Sequence, residues 1–357
     1  MKILYVDYFQ KDGHVNFNRI HIDALRRAGH DVKLVMHREI AQQLPYEDSD
    51  YALQLPRLLR FRQGRPLVNR IVFLVTLLYI KLRVRVKKYD KVILGCIDEI
   101  SYNILPLRRD VYIHAHGNGR FLPLADGTPA ASPTKFNAMK RLAPHAHFIV
   151  YNDYMARPFR DAGFTHVDIV SHGCVPPFEP APDGVLAQLP FALKPEMKVV
   201  FHPSGKCNED FIRRAVSDEA LHEYLASNDV HIILRNRPSW LVEENVPAGI
   251  HFINGFLSTE LYQALFFRAD LILMCYPPSF HHQVSGVSFE CVANAKLTIA
   301  LYTPALEYIR SYYNYEPLFA DVPALVDTLS RIFDPATDAR IIVTPESLQP
   351  DYSSVLQ

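Results

Sequence analysis

Residues Ser285-Gly286-Val287-Ser288-Phe289-Glu290 place two hydroxyls, a glycine and a carboxylate at the mouth of an apolar stretch with helical spacing. A loop of this kind entering a helix offers unpaired backbone N–H groups and the positive helix end, which suits a diphosphate. Glu290 is expected in the first helical turn. Its carboxylate there either accepts both hydroxyls of a ribose or serves only as a favourable charge at the helix start. Lys206 in Pro203-Ser204-Gly205-Lys206 and Arg235 in Leu234-Arg235-Asn236-Arg237 each lie just past an expected strand. Cations at such positions stabilise charge growing on a departing phosphate group, although Lys206 and Arg237 fit a solvated surface equally well. In the first half, Val111 to Phe121 reads as a strand running into the turn Gly117-Asn118-Gly119. Alternation puts His114 and His116 on one face, so His114 can be core while His116 reaches past the strand end. Two His at this spacing can hold a metal, but no further ligand pattern accompanies them and no metal site is expected. In Asp12-Gly13-His14-Val15-Asn16, Gly13 allows close backbone approach to a ligand and Asn16 could cap the following helix.

These residues need a scaffold that brings them together. The chain opens with a strand (Lys2–Asp7), a helix (Phe17–Ala28), Gly29 as a stop and a strand (Asp31–Met36), a β-α-β unit. Strands at Lys91–Cys96, Val111–Ala115 and His147–Tyr151 follow, separated by helical stretches, and this alternation predicts a parallel sheet. Six prolines, from Pro176 to Pro195, then interrupt regular structure. The alternation restarts with strand Lys198–His202, helix Glu209–Ala226, strands Val230–Arg235 and Ile250–Ile253, helix Thr259–Arg268, strand Leu271–Tyr276, helix Val287–Ala295 and strand Leu297–Leu301. The expected fold is α/β, two Rossmann-like doubly wound domains facing a cleft lined by the carboxyl ends of both sheets. Residues 1–175 form the first domain, 176–195 a linker and 196–333 the second. The tail 334–357 is expected to pack back on the first.

Composition narrows the classes further. The 357 residues are 49% hydrophobic, which excludes disorder, and 38 Lys+Arg balance 38 Asp+Glu, which excludes a global field for nucleic acid. A local patch exists: ten basic residues and no acid lie from Arg57 to Lys88, interleaved with Leu58, Phe61, Ile71, Phe73, Leu77 and Ile80. Such a mixture suits an anionic membrane surface, or a buried helix with snorkelling ends; no RNA-binding signature accompanies it. Five scattered cysteines without C-x-x-C spacing argue against structural zinc and a disulfide framework, and for a reducing compartment. The first residues do not read as a signal peptide, and the ten-residue apolar run Ile71–Ile80 is about half the length of a bilayer span. A cytoplasmic protein, peripheral on the inner membrane face, is expected.

The order and spacing of Ile253-Asn254-Gly255-Phe256-Leu257-Ser258-Thr259-Glu260-Leu261-Tyr262, Ala269-Asp270-Leu271-Ile272-Leu273 and Ser285 to Lys296 resemble the donor half of GT-B glycosyltransferases, especially the retaining family-4 type. Ala295 stands where that pattern has Gly before Lys296. The resemblance implies metal-independent transfer, with retention, from a UDP- or GDP-type sugar to a lipid-linked or polysaccharide acceptor. The setting would be bacterial cell-surface glycan synthesis with no other cofactor. It implies Glu290 on the donor ribose, and Ser285, Gly286, Ser288, Lys206, Arg235 and Gly255 around the nucleotide. His116 and His14 would line the reacting centre, with Gly13 and Asn118 on the acceptor side. The pattern's second Glu, eight residues before Glu290, is His282 here, so His281 and His282 would meet the donor sugar instead. Asp48-Ser49-Asp50 superficially matches the metal-binding D-x-D of the other main glycosyltransferase fold; its flanks do not read as a strand, and a loop without a divalent metal is expected.

Two rival activities share this architecture. A nucleotide-sugar 2-epimerase would use Asp98 and Glu99, after the Lys91–Cys96 strand, as acid and base. A non-catalytic subunit would bind nucleotide or carbohydrate and turn nothing over.

Overall fold

A computed structural model of the chain describes residues 1–9, 14–62, 65–123, 130–182 and 184–356. The chain divides into two compact units: Met1–Val175 with His282–Val284 and Leu348–Gln357, and Pro176–His281 with Ser285–Ser347. The first unit carries β1 (Lys2–Asp7), β2 (Asp31–His37), β3 (Tyr51–Leu55), β4 (Lys91–Cys96), β5 (Tyr112–His114), β6 (His147–Val150) and β7 (Val167–Ile169), in the order β3-β2-β1-β4-β5-β6-β7. The second carries β8 (Lys198–Phe201), β9 (Val230–Arg235), β10 (Ile250–Ile253), β11 (Leu271–Met274), β12 (Thr298–Leu301) and β13 (Leu318–Phe319), ordered β10-β9-β8-β11-β12-β13. Neighbouring strands run parallel in both. Parallel strands joined by helical crossovers are covered on both faces, so they read as apolar runs rather than alternating ones. In β1, Leu4 and Val6 enter one core cluster while Ile3 and Tyr5 enter another.

Each sheet grows away from its first strand in one direction, then reverses, with the fourth strand pairing beside the first. Ligands of open α/β sheets bind outside the carboxyl ends of the strands at this reversal.

The structure corrects several expected elements. The single helix Glu209–Ala226 is two, Glu209–Ala215 and Glu219–Asn228, because the Asp218 carboxylate caps the second by accepting the Leu221 N–H at 2.8 Å. β3 is a half-buried edge strand, and β7 and β13 are three and two residues long, too short for periodicity to betray. Asp48–Asp50 forms one 3-10 turn, with Asp50 paired to Arg26 at 2.8 Å. Around the proline-rich stretch, Phe178, Val185, Leu189 and Phe191 pack in the core of the second unit. Among the described residues, no helix is long and apolar enough to cross a membrane.

Candidate active site

At the carboxyl ends of β1, β4 and β5, where the first sheet reverses, lies a cavity of 610 Å³. Phe9, Phe61, Phe73 and Phe121 line it with His14, Asp98, Glu99, His116, Asn118 and Lys135. Asp7, the last residue of β1, is buried behind it. The β1/β4 register slips at this point: Val6 pairs with Leu94 and Asp7 with Cys96, passing over Gly95. Gly95 has little room for a side chain, since a Cβ would lie 3.0 Å from both the Tyr5 hydroxyl and Asn18 Oδ1 and 3.2 Å from the Asp7 Cβ.

A hydrogen-bond chain occupies that space. The Tyr5 hydroxyl donates to Asn18 Oδ1, Asn18 Nδ2 donates to Asp7 Oδ2, and the Phe9 N–H donates to Asp7 Oδ1, each at 2.9 Å. His14 Nδ1 lies 2.9 Å from Asp7 Oδ2. Burial pushes the Asp7 carboxyl up, but His14, Asn18 and Phe9 outweigh it, and the group is held below its ordinary value. An ionised carboxylate only accepts, so the His14 proton sits on Nδ1 and the Nε2 lone pair is free for proton transfer. The His116 ring packs 4.1 Å from Phe17 and 5.1 Å from His14, centroid to centroid. His114 instead is fully buried, with Tyr352 at 3.0 Å from Nε2, and burial lowers it to about 3. It is a neutral core residue.

In the same cavity, Glu99 Oε2 pairs with Lys135 Nζ at 3.0 Å and Oε1 accepts from Asn118 Nδ2 at 2.5 Å. Asn118 Oδ1 is buried with no hydrogen-bond partner among the described residues, leaving an acceptor for a ligand hydroxyl. The Asp98 carboxylate is engaged as a helix cap, accepting the Ser101 N–H at 2.9 Å. Gly13 lies outside the described residues.

In the second unit the helix Gly286–Ala293 starts after Ser285, so Glu290 sits in the second turn rather than the first. Glu290 is half-buried and Tyr262 donates its hydroxyl to Oε2 at 2.5 Å. Burial raises this carboxyl while the Tyr262 bond pulls it back. The hydroxyls of Ser285 and Ser288 face inward: Ser285 Oγ lies 2.6 Å from the Tyr276 hydroxyl, and Ser288 Oγ donates to the Ser285 carbonyl at 2.7 Å. They shape the loop; the Ser285 N–H donates to the Tyr308 hydroxyl at 3.1 Å and the Ser288 N–H to the Ser285 carbonyl at 3.2 Å, which leaves the exposed Gly286 as the part of this helix start open to an anion. Arg235 braces two loops by donating to the carbonyls of Pro203 (3.2 Å) and Gly255 (2.7 Å), whereas Lys206 is exposed. Gly255 takes a φ of +85°, which its lack of a Cβ permits. His281 Nδ1 lies 3.2 Å from the Pro278 carbonyl, and His282 groups with the first unit, its ring stacked 5.8 Å from Tyr154.

Asp7 and Tyr262 escape sequence reading. A carboxylate ending a buried apolar strand is a usable signal for Asp7; Tyr262 meets Glu290 only through the fold.

No family model matches the chain, and no curated protein matches it. Solved structures do. Sucrose-phosphate synthase from Thermosynechococcus elongatus aligns with a TM-score of 0.58 and 15% identity over 94% of this chain and 91% of that one. Anabaena HepE in complex with UDP and glucose gives 0.57 and 16% over 94% and 90%. UDP-GlcNAc 2-epimerase from Methanocaldococcus jannaschii gives 0.57 and 14% over 95% of each chain. Transferases and epimerases thus share one scaffold with this chain, and its two parallel-sheet domains have the GT-B fold.

Proposed function

We propose that this protein is a glycosyltransferase that moves a sugar from a nucleoside-diphosphate sugar to a lipid-linked or polysaccharide acceptor without a metal ion. The Asp7–His14 pair carries the reading: a buried carboxylate holds one imidazole nitrogen at 2.9 Å while the ring lines a cavity. His14 Nε2 takes the proton of the acceptor hydroxyl as its oxygen attacks the anomeric carbon and the bond to the diphosphate breaks. The departing charge falls to Lys206 and the backbone N–H groups at Gly286, with Glu290 on the ribose. UDP in the HepE structure supports a nucleotide of this type. Direct attack inverts the anomeric centre, in place of the retention implied by the likeness of Ser285 to Lys296.

The acceptor class is supported by the helix Pro66–Arg83, which lends Asn69, Arg70 and Phe73 to the cavity wall, beside Arg65 just before its first turn. Leu67, Ile71, Val75, Leu78 and Leu82 share its outer face at helical spacing, 47% to 76% exposed. Arg57, Arg60, Arg62, Lys81, Arg83, Lys87 and Lys88, all exposed, lie within or next to this helix in sequence, Arg57 paired with Glu39 at 3.1 Å. Apolar insertion beside basic charge fits peripheral binding to an anionic cytoplasmic leaflet, where a lipid-linked acceptor sits. The test combines the anomeric configuration of the product by NMR with turnover of His14→Ala. Retention, or full turnover without His14, would remove the base from the mechanism.

The epimerase reading is favoured by one observation, the buried Glu99 in the same cavity as His14. Conversion of free UDP-GlcNAc without an acceptor, lost in Glu99→Gln, would establish it.

A further inference from the structure

Cys207 and Cys275 stand 68 residues apart, yet their Sγ atoms lie 2.8 Å from each other. Topology brings them together: β8 and β11 pair where the second sheet reverses, Cys275 directly follows β11, and Cys207 lies in the loop after β8. The fully buried His202, next after β8, places Nδ1 2.9 Å from the Leu273 carbonyl and Nε2 3.2 Å from the Lys206 carbonyl. Carbonyls only accept, so both bonds require N–H on both nitrogens, which is an imidazolium. Burial opposes that charge, but the Cys207 sulfur and the two carbonyls outweigh it, and His202 is raised. The Cys275 thiol and His202 in turn draw Cys207 down to about 5, while burial holds Cys275 well above the usual thiol range. The ligand atoms of all three residues lie within 4.8 Å of one another, but a His with both nitrogens turned to carbonyls has no lone pair for a metal ion.

We propose that Cys207 and Cys275 are a reversible redox pair, with Cys207 the attacking thiolate and Cys275 the resolving thiol. A disulfide needs about 2.05 Å, so the sulfurs must close by less than an ångström. The oxidant is a low-molecular-weight disulfide, RSSR, reaching the half-buried Cys207 through the 400 Å³ cavity that this residue lines with Asn236 and Pro277. Cys207 S⁻ attacks one sulfur of RSSR, the S–S bond breaks and RS⁻ leaves. Cys275 then attacks Cys207 Sγ, expelling the second RS⁻; the Cys275 proton and one from solvent convert both to RSH. Two electrons pass from the cysteine pair to RSSR. Cys275 is fully buried, which fixes the order of the two steps.

The experiment exposes the reduced full-length chain to oxidised glutathione and maps the products by peptide mass. The expected product is an intramolecular Cys207–Cys275 disulfide, reversed by dithiothreitol, formed at least about tenfold faster than any adduct of Cys96, Cys174 or Cys291. Cys275→Ser should stop at a glutathione adduct on Cys207, and Cys207→Ser should form neither product. The wild-type map alone tests the pair if a variant fails to fold. Absence of the 207–275 disulfide, or one equivalent of zinc released from the purified chain on thiol oxidation, would overturn the proposal.

Discussion

Replacing Asp7 by Asn tests the logic of the first-unit site with almost no change of shape. Oδ2 of Asp7 accepts from both His14 and Asn18 while Oδ1 accepts from the Phe9 N–H. An Asn amide that keeps its oxygen on Phe9 turns its NH2 toward two donors. Asn18 can rotate its amide, because the Tyr5 hydroxyl accepts as readily as it donates. His14 must move its proton from Nδ1 to Nε2, which removes the lone pair from the cavity. Three charge-assisted bonds of about 1.5–3 kcal/mol become neutral ones of about 1 kcal/mol, a net loss of about 1.5–6 kcal/mol. At about 2–4 °C per kcal/mol for a domain of 150–250 residues, Tm should fall by about 3–24 °C. Turnover should fall about 10²- to 10⁴-fold, the upper figure being the known cost of the wrong tautomer in a Ser-His-Asp triad. The folded Asp7 carboxyl lies below its unfolded value, so its contribution is present above about pH 4 and is lost as pH falls through the folded value. The stability gap between wild type and Asp7→Asn should therefore be full at pH 7 and close in acid. Thermal melts from pH 3 to 7 and the ¹⁵N shifts of the His14 ring measure both effects. A wild-type His14 protonated at Nε2, or a gap constant with pH, would refute the reasoning.

Tyr262→Phe removes the bond that lowers the raised Glu290 carboxyl, pushing it further up; UDP or GDP binding at pH 6 should weaken about tenfold, read by thermal shift. Gly119→Ala puts a Cβ 2.8 Å from the His282 Cβ and should cost about 1–3 kcal/mol in the first unit, visible in its melting transition. A Cys207 thiol at about 5 should alkylate at nearly constant rate from pH 8 to 6, where an ordinary thiol near 8.5 slows about 75-fold; His202→Asn should bring back part of that slope, the Cys275 thiol holding the rest. Changing Leu67, Ile71, Leu78 and Leu82 to Ser should abolish cosedimentation with anionic liposomes and leave Tm within a few degrees, since all four are exposed. Removal of Arg57, Arg60, Arg62 and Arg65 should do the same, and unchanged binding would sink the membrane assignment.

Long buried strands were legible because an apolar run between helical stretches has one solution, a parallel sheet with both faces covered. β1, β4, β9 and β10 accordingly lie where periodicity places them. β13 and β7 carry too few residues to show a period, and their place depends on a neighbour already in the sheet. The placement of individual candidate residues was legible only where a strand end could be read. His14 and His116 sit beside each other in the structure because β1 and β5 both end at the same cavity. The inward turn of Ser285 and Ser288 could not be read, since it depends on Tyr276 and Tyr308 arriving from elsewhere. The same holds for the cysteines. Their spacing in the chain excludes a compact C-x-x-C, yet strand order makes two of them neighbours.

The last residues of the chain set a clock on the first unit. Tyr352 places its hydroxyl 2.7 Å from His21 Nδ1 and 3.0 Å from His114 Nε2, Ser171 Oγ donates to the Leu348 carbonyl, and Pro350 sits where a Cβ on Gly173 would clash. During synthesis Val175 precedes Leu348 by 348 − 175 = 173 residues, about 9–35 s of translation at roughly 5–20 residues per second. Through that interval the first sheet lacks the Tyr352 hydroxyl that His21 and His114 share, while the second unit is made. The unit whose sheet is made first is thus the last to be completed, and a stop codon anywhere before Leu348 injures that unit as well.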